Sequence, residues 1–108
     1  MSGAAEFVVV FVTAKDEAEA ARILRSLIEK KLAACGNIVR GVRSIYRWEG
    51  VVHDEAEALM IIKARRSAFP LLEAEIRRQH SYTTPEILAL PVVAGSEAYL
   101  KWAGEATT

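Results

Sequence analysis

Only one cysteine, Cys35, occurs in the 108 residues, so no disulfide can form within the chain, and a reducing compartment is expected. Neither sign of charge is in excess: 14 Lys and Arg balance 14 Asp and Glu. No net field therefore draws nucleic acid or anionic lipid to the surface. The apolar run near the start, Phe7 to Val12, is far shorter than the ~20 residues a helix needs to cross a bilayer. The segment before it lacks the basic start of a secretory signal, so cytoplasmic localisation is the expectation, with no membrane partner. Glycines are scattered: Gly41, Gly50 and Gly95 are isolated turn residues and build no phosphate loop. No serine sits in a nucleophile elbow, and two histidines with one cysteine spell no catalytic dyad, so no enzymatic activity is expected. Apart from Phe7 and Phe11 the first strand is aliphatic, which leaves RNA no stacking platform there.

What the chain does have is apolar content, 52% of residues, enough for a core in one domain spanning 1–108 with an ordered part of about 7–103. Phe7 to Val12 is β-branched and aromatic throughout, the pattern of a strand buried on both faces. Asp16 is placed to cap a helix, with Glu19 completing a capping box. Ala20, Ile23, Leu24, Leu27, Ile28 and Leu32 recur at helical spacing, and Gly36 is the expected stop. A second helix is expected from a Ser67 cap, with Pro70 in its first turn and Phe69, Leu72 and Ile76 buried. Residues 80–85 read as a loop and 87–93 as a strand in which Pro91 marks an end or an edge. Ser96 opens a short last helix through Trp102, closed by Gly104.

Between the two main helices, CGNIVRGVRSIYRWEG runs to a turn at Glu49-Gly50 and VVHDEAEALMIIKAR runs back. Arms of about twelve residues reach roughly 40 Å at ~3.3 Å per residue, whereas a compact domain of this size has a radius of gyration near ~13 Å. Ser44, Tyr46 and Trp48 share one face of the ribbon, and Arg43, Ile45 and Arg47 share the other. The tip is polar and aromatic while Leu59 to Ile62 belong to a core, as in a ribbon whose outer half leaves its own domain. Exposed strand edges seek partners, and identical subunits in a ring supply them. The order strand, helix, long hairpin, helix, strand, short helix gives an α+β, ferredoxin-like βαββαβ sandwich: a four-stranded antiparallel sheet with both main helices on one face.

FVTAKDEAEAARI, KKLAACGNI, GVRSIYRWEG, HSYTTPEI and ALPVVAGSEAYLKW together resemble the CutA family of divalent-cation tolerance proteins, from Val8 to Trp102. The resemblance implies a homotrimer assembled like PII signalling proteins, with the long hairpins crossing subunit boundaries. It also implies a role in divalent metal tolerance, with copper as the first candidate ion and no organic cofactor. Three positions depart from the family: Ser81 where proline is usual, Thr83 where an acidic residue is usual, and Gly36 where valine is common.

Cys35, His80 and Glu86 are the candidate metal ligands, since thiolate and imidazole suit copper or zinc and a carboxylate completes the shell. No Cys-x-x-Cys or His-x-x-x-His spacing preorganises them, so only a trimer could gather enough donors. Set against this, Cys35 also reads as a small buried residue at a helix end, His80 as a loop imidazole bonded to backbone, and His53 as solvated. Tyr46, Trp48 and Tyr82 are candidates for a cleft or for trimer packing. Arg43 and Arg47 are candidates to bind a small anion there, as in a PII-like signalling trimer, or to pair with Glu55 or Glu57 across the ribbon.

Overall fold

The computed structural model describes residues 3–108. Four strands, β1 (Phe7–Ala14), β2 (Cys35–Trp48), β3 (Val51–Arg65) and β4 (Ile87–Pro91), form one antiparallel sheet in the order β2-β3-β1-β4. Three helices, α1 (Glu17–Glu29), α2 (Phe69–Gln79) and α3 (Glu97–Glu105), complete the ferredoxin-like α+β architecture.

The core follows from strand alternation meeting helix periodicity. Val8, Val10, Val12 and Ala14 of β1, with Ala58, Met60, Ile62 and Ala64 of β3, point to the side where Ile23 and Leu27 of α1 and Leu72 and Ile76 of α2 cover them. β1 is not fully enclosed on its other side: Val9, Phe11 and Thr13 are half-buried. Phe7, Ala34, Leu100 and Ala103 make a smaller cluster under α3.

Asp16 caps α1 as expected, its Oδ1 accepting the Glu19 N–H at 2.8 Å. The Glu19 carboxylate does not close the box: it accepts from the Lys15 N–H and from Ser81, far along the chain. α1 ends well before Gly36, with Lys31 in the left-handed region (φ 59°), so Leu32 lies outside the helix. Gly36 is instead a β2 residue on which Leu24 rests; a Cβ there would stand 2.5 Å from Leu24 Cδ1. Ser67 caps nothing, because Arg66–Ala68 form a 3-10 turn that leads into α2, which has no side-chain cap. Ser96 does cap α3, accepting the Tyr99 N–H, but the helix passes through Gly104. Pro91 closes β4, an edge strand, where its missing N–H costs nothing.

The hairpin is as long as the sequence implies. Its turn has Glu49 at φ 51° and Gly50 at φ 80°, the pair of positive values that a type I′ hairpin loop requires. The chain measures 48 × 25 × 23 Å with a radius of gyration of 14.4 Å. Beyond Glu57 the arm leaves the core, and Ile45, Val51 and Val52 are each more than half exposed.

One feature of β2 decides what the arm presents. Val39 pairs with Leu59 and Val42 with Glu57, so Arg40 and Gly41 together oppose Ala58. This bulge, with Gly41 at φ 70°, is the role of that glycine; it is not a turn residue. Ile38, before the bulge, pairs with buried Met60 on the helix-covered face. After it the parity is reversed, and Ser44, Tyr46 and Trp48 align with Glu55, His53 and Val51 on the opposite face.

Candidate functional site

A cleft of about 740 Å³ lies where the arm meets the loop between α2 and β4. Tyr46, Trp48 and Tyr82 supply its aromatic surface, Glu57 and Glu86 its charge, and Thr13, Ser44, Ser81, Thr83 and Thr84 its hydroxyls, with Ile45 and Pro85 completing the wall. Among the described residues no lysine, arginine or histidine lines it.

The loop wall is held by two buried side chains behind it. His80 is 9% exposed. Its Nε2 lies 2.7 Å from the Thr13 carbonyl oxygen, and its Nδ1 lies 3.0 Å from the Tyr82 backbone nitrogen. A carbonyl can only accept and an amide N–H can only donate, so Nε2 carries the proton and Nδ1 the lone pair. Both ring nitrogens are thereby engaged within the chain. Glu19 is the second support: it accepts the Ser81 N–H at 2.8 Å and the Lys15 N–H at 3.0 Å. Burial raises its pKa, but the hydrogen bonds from Ser81 and Lys15 and the nearby His80 outweigh that and hold it below the ordinary carboxylate value. A proline at 81 would remove the donor of the first bond, so the serine there is what makes the tie to α1 available.

On the arm side, the Tyr82 hydroxyl donates to Glu57 Oε2 at 2.6 Å, and the Tyr46 hydroxyl donates to Glu55. Tyr46 also stacks on His53, with ring centroids 5.1 Å apart and planes 11° from parallel. The bond to Glu55 pushes Tyr46 up to about 12, and burial followed by the Glu57 bond raises Tyr82 further, so both remain neutral phenols at physiological pH. Glu57 is 7% exposed and pairs with no cationic side chain among the described residues.

The expected site residues are therefore divided. Tyr46, Trp48, Tyr82 and Glu86 line the cleft, while His80 stands behind it as a support. Arg43 and Arg47 project from the other face of the ribbon and line none of it. The expected pairing with Glu55 or Glu57 is corrected: Arg43 makes a two-pronged pair with Asp54 at 2.7 and 2.6 Å, because that carboxylate shares its face and Glu55 and Glu57 do not. Cys35 stands elsewhere, at the start of β2, with Sγ 3.0 Å from the Tyr99 hydroxyl of α3. It pairs with Lys63, four residues along β3 from the partner of Thr13, roughly 13 Å by strand rise. Among the described residues no three His, Cys, Asp or Glu side chains stand close enough to hold a metal ion. One chain thus does not fit a divalent metal by itself; donors from more than one chain would be needed. Glu57, the buried charge of the cleft, was legible in sequence only as an ion-pair partner, and the signal for it was an acidic residue just before an apolar strand.

The family pattern described as CutA1 divalent ion tolerance protein matches residues 8–106. The chain belongs to this family. The divalent-cation tolerance protein CutA of Thermus thermophilus is 46% identical over 99 residues, which cover 92% of this chain and 96% of that protein. The chloroplastic CutA of Arabidopsis thaliana is 41% identical over 100 residues, covering 93% of this chain but 55% of its own length, so the chain spans about half of that plant relative. The solved structure of Cut A1 from Thermus thermophilus superimposes with a TM-score of 0.92 at 44% identity, covering 94% of this chain and 99% of that one. The periplasmic CutA from Archaeoglobus fulgidus gives 0.90 at 40% identity, covering 93% and 97%. The chain thus shares the architecture of solved members of its family, including the sheet that carries one side of the cleft.

Proposed function

We propose that the protein is a homotrimer in the cytoplasm that binds a divalent cation, copper first among the candidates, and contributes to tolerance of that metal by binding and not by catalysis. The observation that carries a cation reading is the charge of the cleft: Glu57 and Glu86 line it and, among the described residues, no basic side chain does. The same observation weighs against the small anion of a PII-like signalling trimer, since Arg43 is spent on Asp54 on the other face. Trimer formation is supported by the arm, whose Ile45, Val51 and Val52 lie open to solvent in one chain. The count of three rests on the family resemblance. On this reading the metal ligands come from more than one subunit, since the described residues of one hold no donor cluster; of the three candidates Cys35 and Glu86 are the donors offered, because both His80 nitrogens are taken.

Equilibrium dialysis against copper and zinc at neutral pH, with the mass measured by light scattering, tests this reading. Saturable uptake by a trimer, weakened by Cys35→Ser or Glu86→Gln and kept by folded His80→Ala, is the expected result. A monomer, or no saturable uptake below millimolar metal, would overturn it.

A further inference from the structure

We propose that the cleft of each chain is a binding site for a small organic ammonium ion. The inference rests on the cation reading of this cleft and needs no metal. A divalent metal requires four or more close donors at about 2.0–2.6 Å, which one chain does not assemble. An ammonium ion requires less: one carboxylate and aromatic faces within about 6 Å of the charge. Both are present. Tyr46, Trp48 and Tyr82 line the cleft together with Glu57 and Glu86. The volume, about 740 Å³, suits a small molecule and is far larger than a bare ion needs.

Glu57 supplies the independent indication. Its side chain is buried, its Oε2 takes the Tyr82 hydroxyl, and among the described residues of its own chain its charge meets no cationic side chain. Oε1 takes no donor from the chain and yet is not sealed away, since no buried side-chain oxygen among the described residues is left without a partner. A buried carboxylate without a counter-charge is costly, and a cation entering the cleft relieves that cost. The two tyrosines are prepared for the same ligand. Each hydroxyl donates to a carboxylate, which fixes the ring and enriches its π face. The hydroxyl groups of Thr13 and Ser44 are acceptors for the N–H groups of a primary ammonium.

The test uses metal-free assembled protein and two probes of one shape, tert-butylammonium and uncharged tert-butanol, titrated at constant ionic strength and followed by calorimetry and by tryptophan fluorescence in a Trp102→Phe background. Saturable binding of the ammonium, one per chain, at least about tenfold tighter than the alcohol is expected from charge and cation–π attraction together. Glu57→Gln, which keeps an acceptor for Tyr82, should weaken the ammonium about tenfold and leave the alcohol unchanged; Trp48→Leu should weaken it severalfold. Equal affinity of the two probes, or no ammonium binding, overturns the proposal even if Glu57→Gln fails to fold. Copper titrated in parallel separates the readings. Copper uptake without ammonium binding defeats this inference alone, and loss of both defeats the cation reading.

Discussion

The Tyr82 hydroxyl and the Glu57 carboxylate meet at 2.6 Å, across 25 residues of sequence, and join the loop after α2 to the root of the hairpin arm. Tyr82→Phe leaves the carboxylate buried without its donor. A loss of about 1–3 kcal/mol is expected, read as a lower urea midpoint at fixed protein concentration. An unchanged midpoint would show that the bond carries no net stability.

His80 is held as the Nε2–H tautomer by Thr13 on one side and Tyr82 on the other. Long-range ¹H–¹⁵N correlation spectra of the imidazole at pH 8 should show Nδ1 as the unprotonated nitrogen. A proton on Nδ1, or a titration of the ring shift by copper at low occupancy, would contradict the supporting role.

In Gly36→Val the added Cβ would stand 2.5 Å from Leu24 Cδ1 and 2.8 Å from Cδ2. Overpacking of this kind costs about 1–3 kcal/mol. The double variant with Leu24→Ala should recover part of that loss, and thermal unfolding of the two single variants and the double would measure the coupling.

Gly41 separates two kinds of change. Gly41→Ala meets no atom within 4 Å, so only its φ of 70° is strained, at a cost of about 1–2 kcal/mol. Deleting Gly41 removes the bulge and returns Tyr46 and Trp48 to the face of the helices. The deletion should abolish the environment of Trp48 in the cleft, seen as a red-shifted emission, while the substitution keeps it.

Acid lability should centre on Glu75, which joins α1 to α2 by accepting from Arg78, Lys30, Ser26 and Gln79. Arg78 first, then Lys30, holds its carboxyl well below the ordinary value of 4.5. A depressed folded-state pKa means stability that is complete above the unfolded value and lost as pH falls below it. Glu75→Gln should therefore unfold more easily at pH 7 and show a flatter loss of stability from about pH 5 to about pH 3. Parallel acid limbs in the two proteins would contradict the assignment.

Local patterns carried most of the architecture. Asp16 and Ser96 announce their helices because a cap is a contact of three residues' span, and Glu49-Gly50 announces its turn because two positive φ values limit what can stand there. Apolar runs and helical spacing marked the large side chains of the core, but not Ala14, Ala33, Ala58 and Ala64, and Ile28 of the same helical stripe is exposed. Even the unsheltered arm was a matter of counting residues. Two local signals misled: Gly36 looked like a helix stop but is a seat for Leu24, a tertiary contact, and Ser67 looked like a cap but lies in a 3-10 turn.

The amino-acid sequence by itself determined the order of elements, the length of the hairpin and the family, because each of these is written in neighbouring residues or in their spacing. Only the tertiary structure decided which side chains form the cleft. A single extra residue at the Arg40-Gly41 bulge reverses the parity of the arm, and period-two alternation gives no warning of such a reversal. The same holds for His80, whose partner Thr13 lies 67 residues away and is a backbone carbonyl that no side-chain pattern reveals.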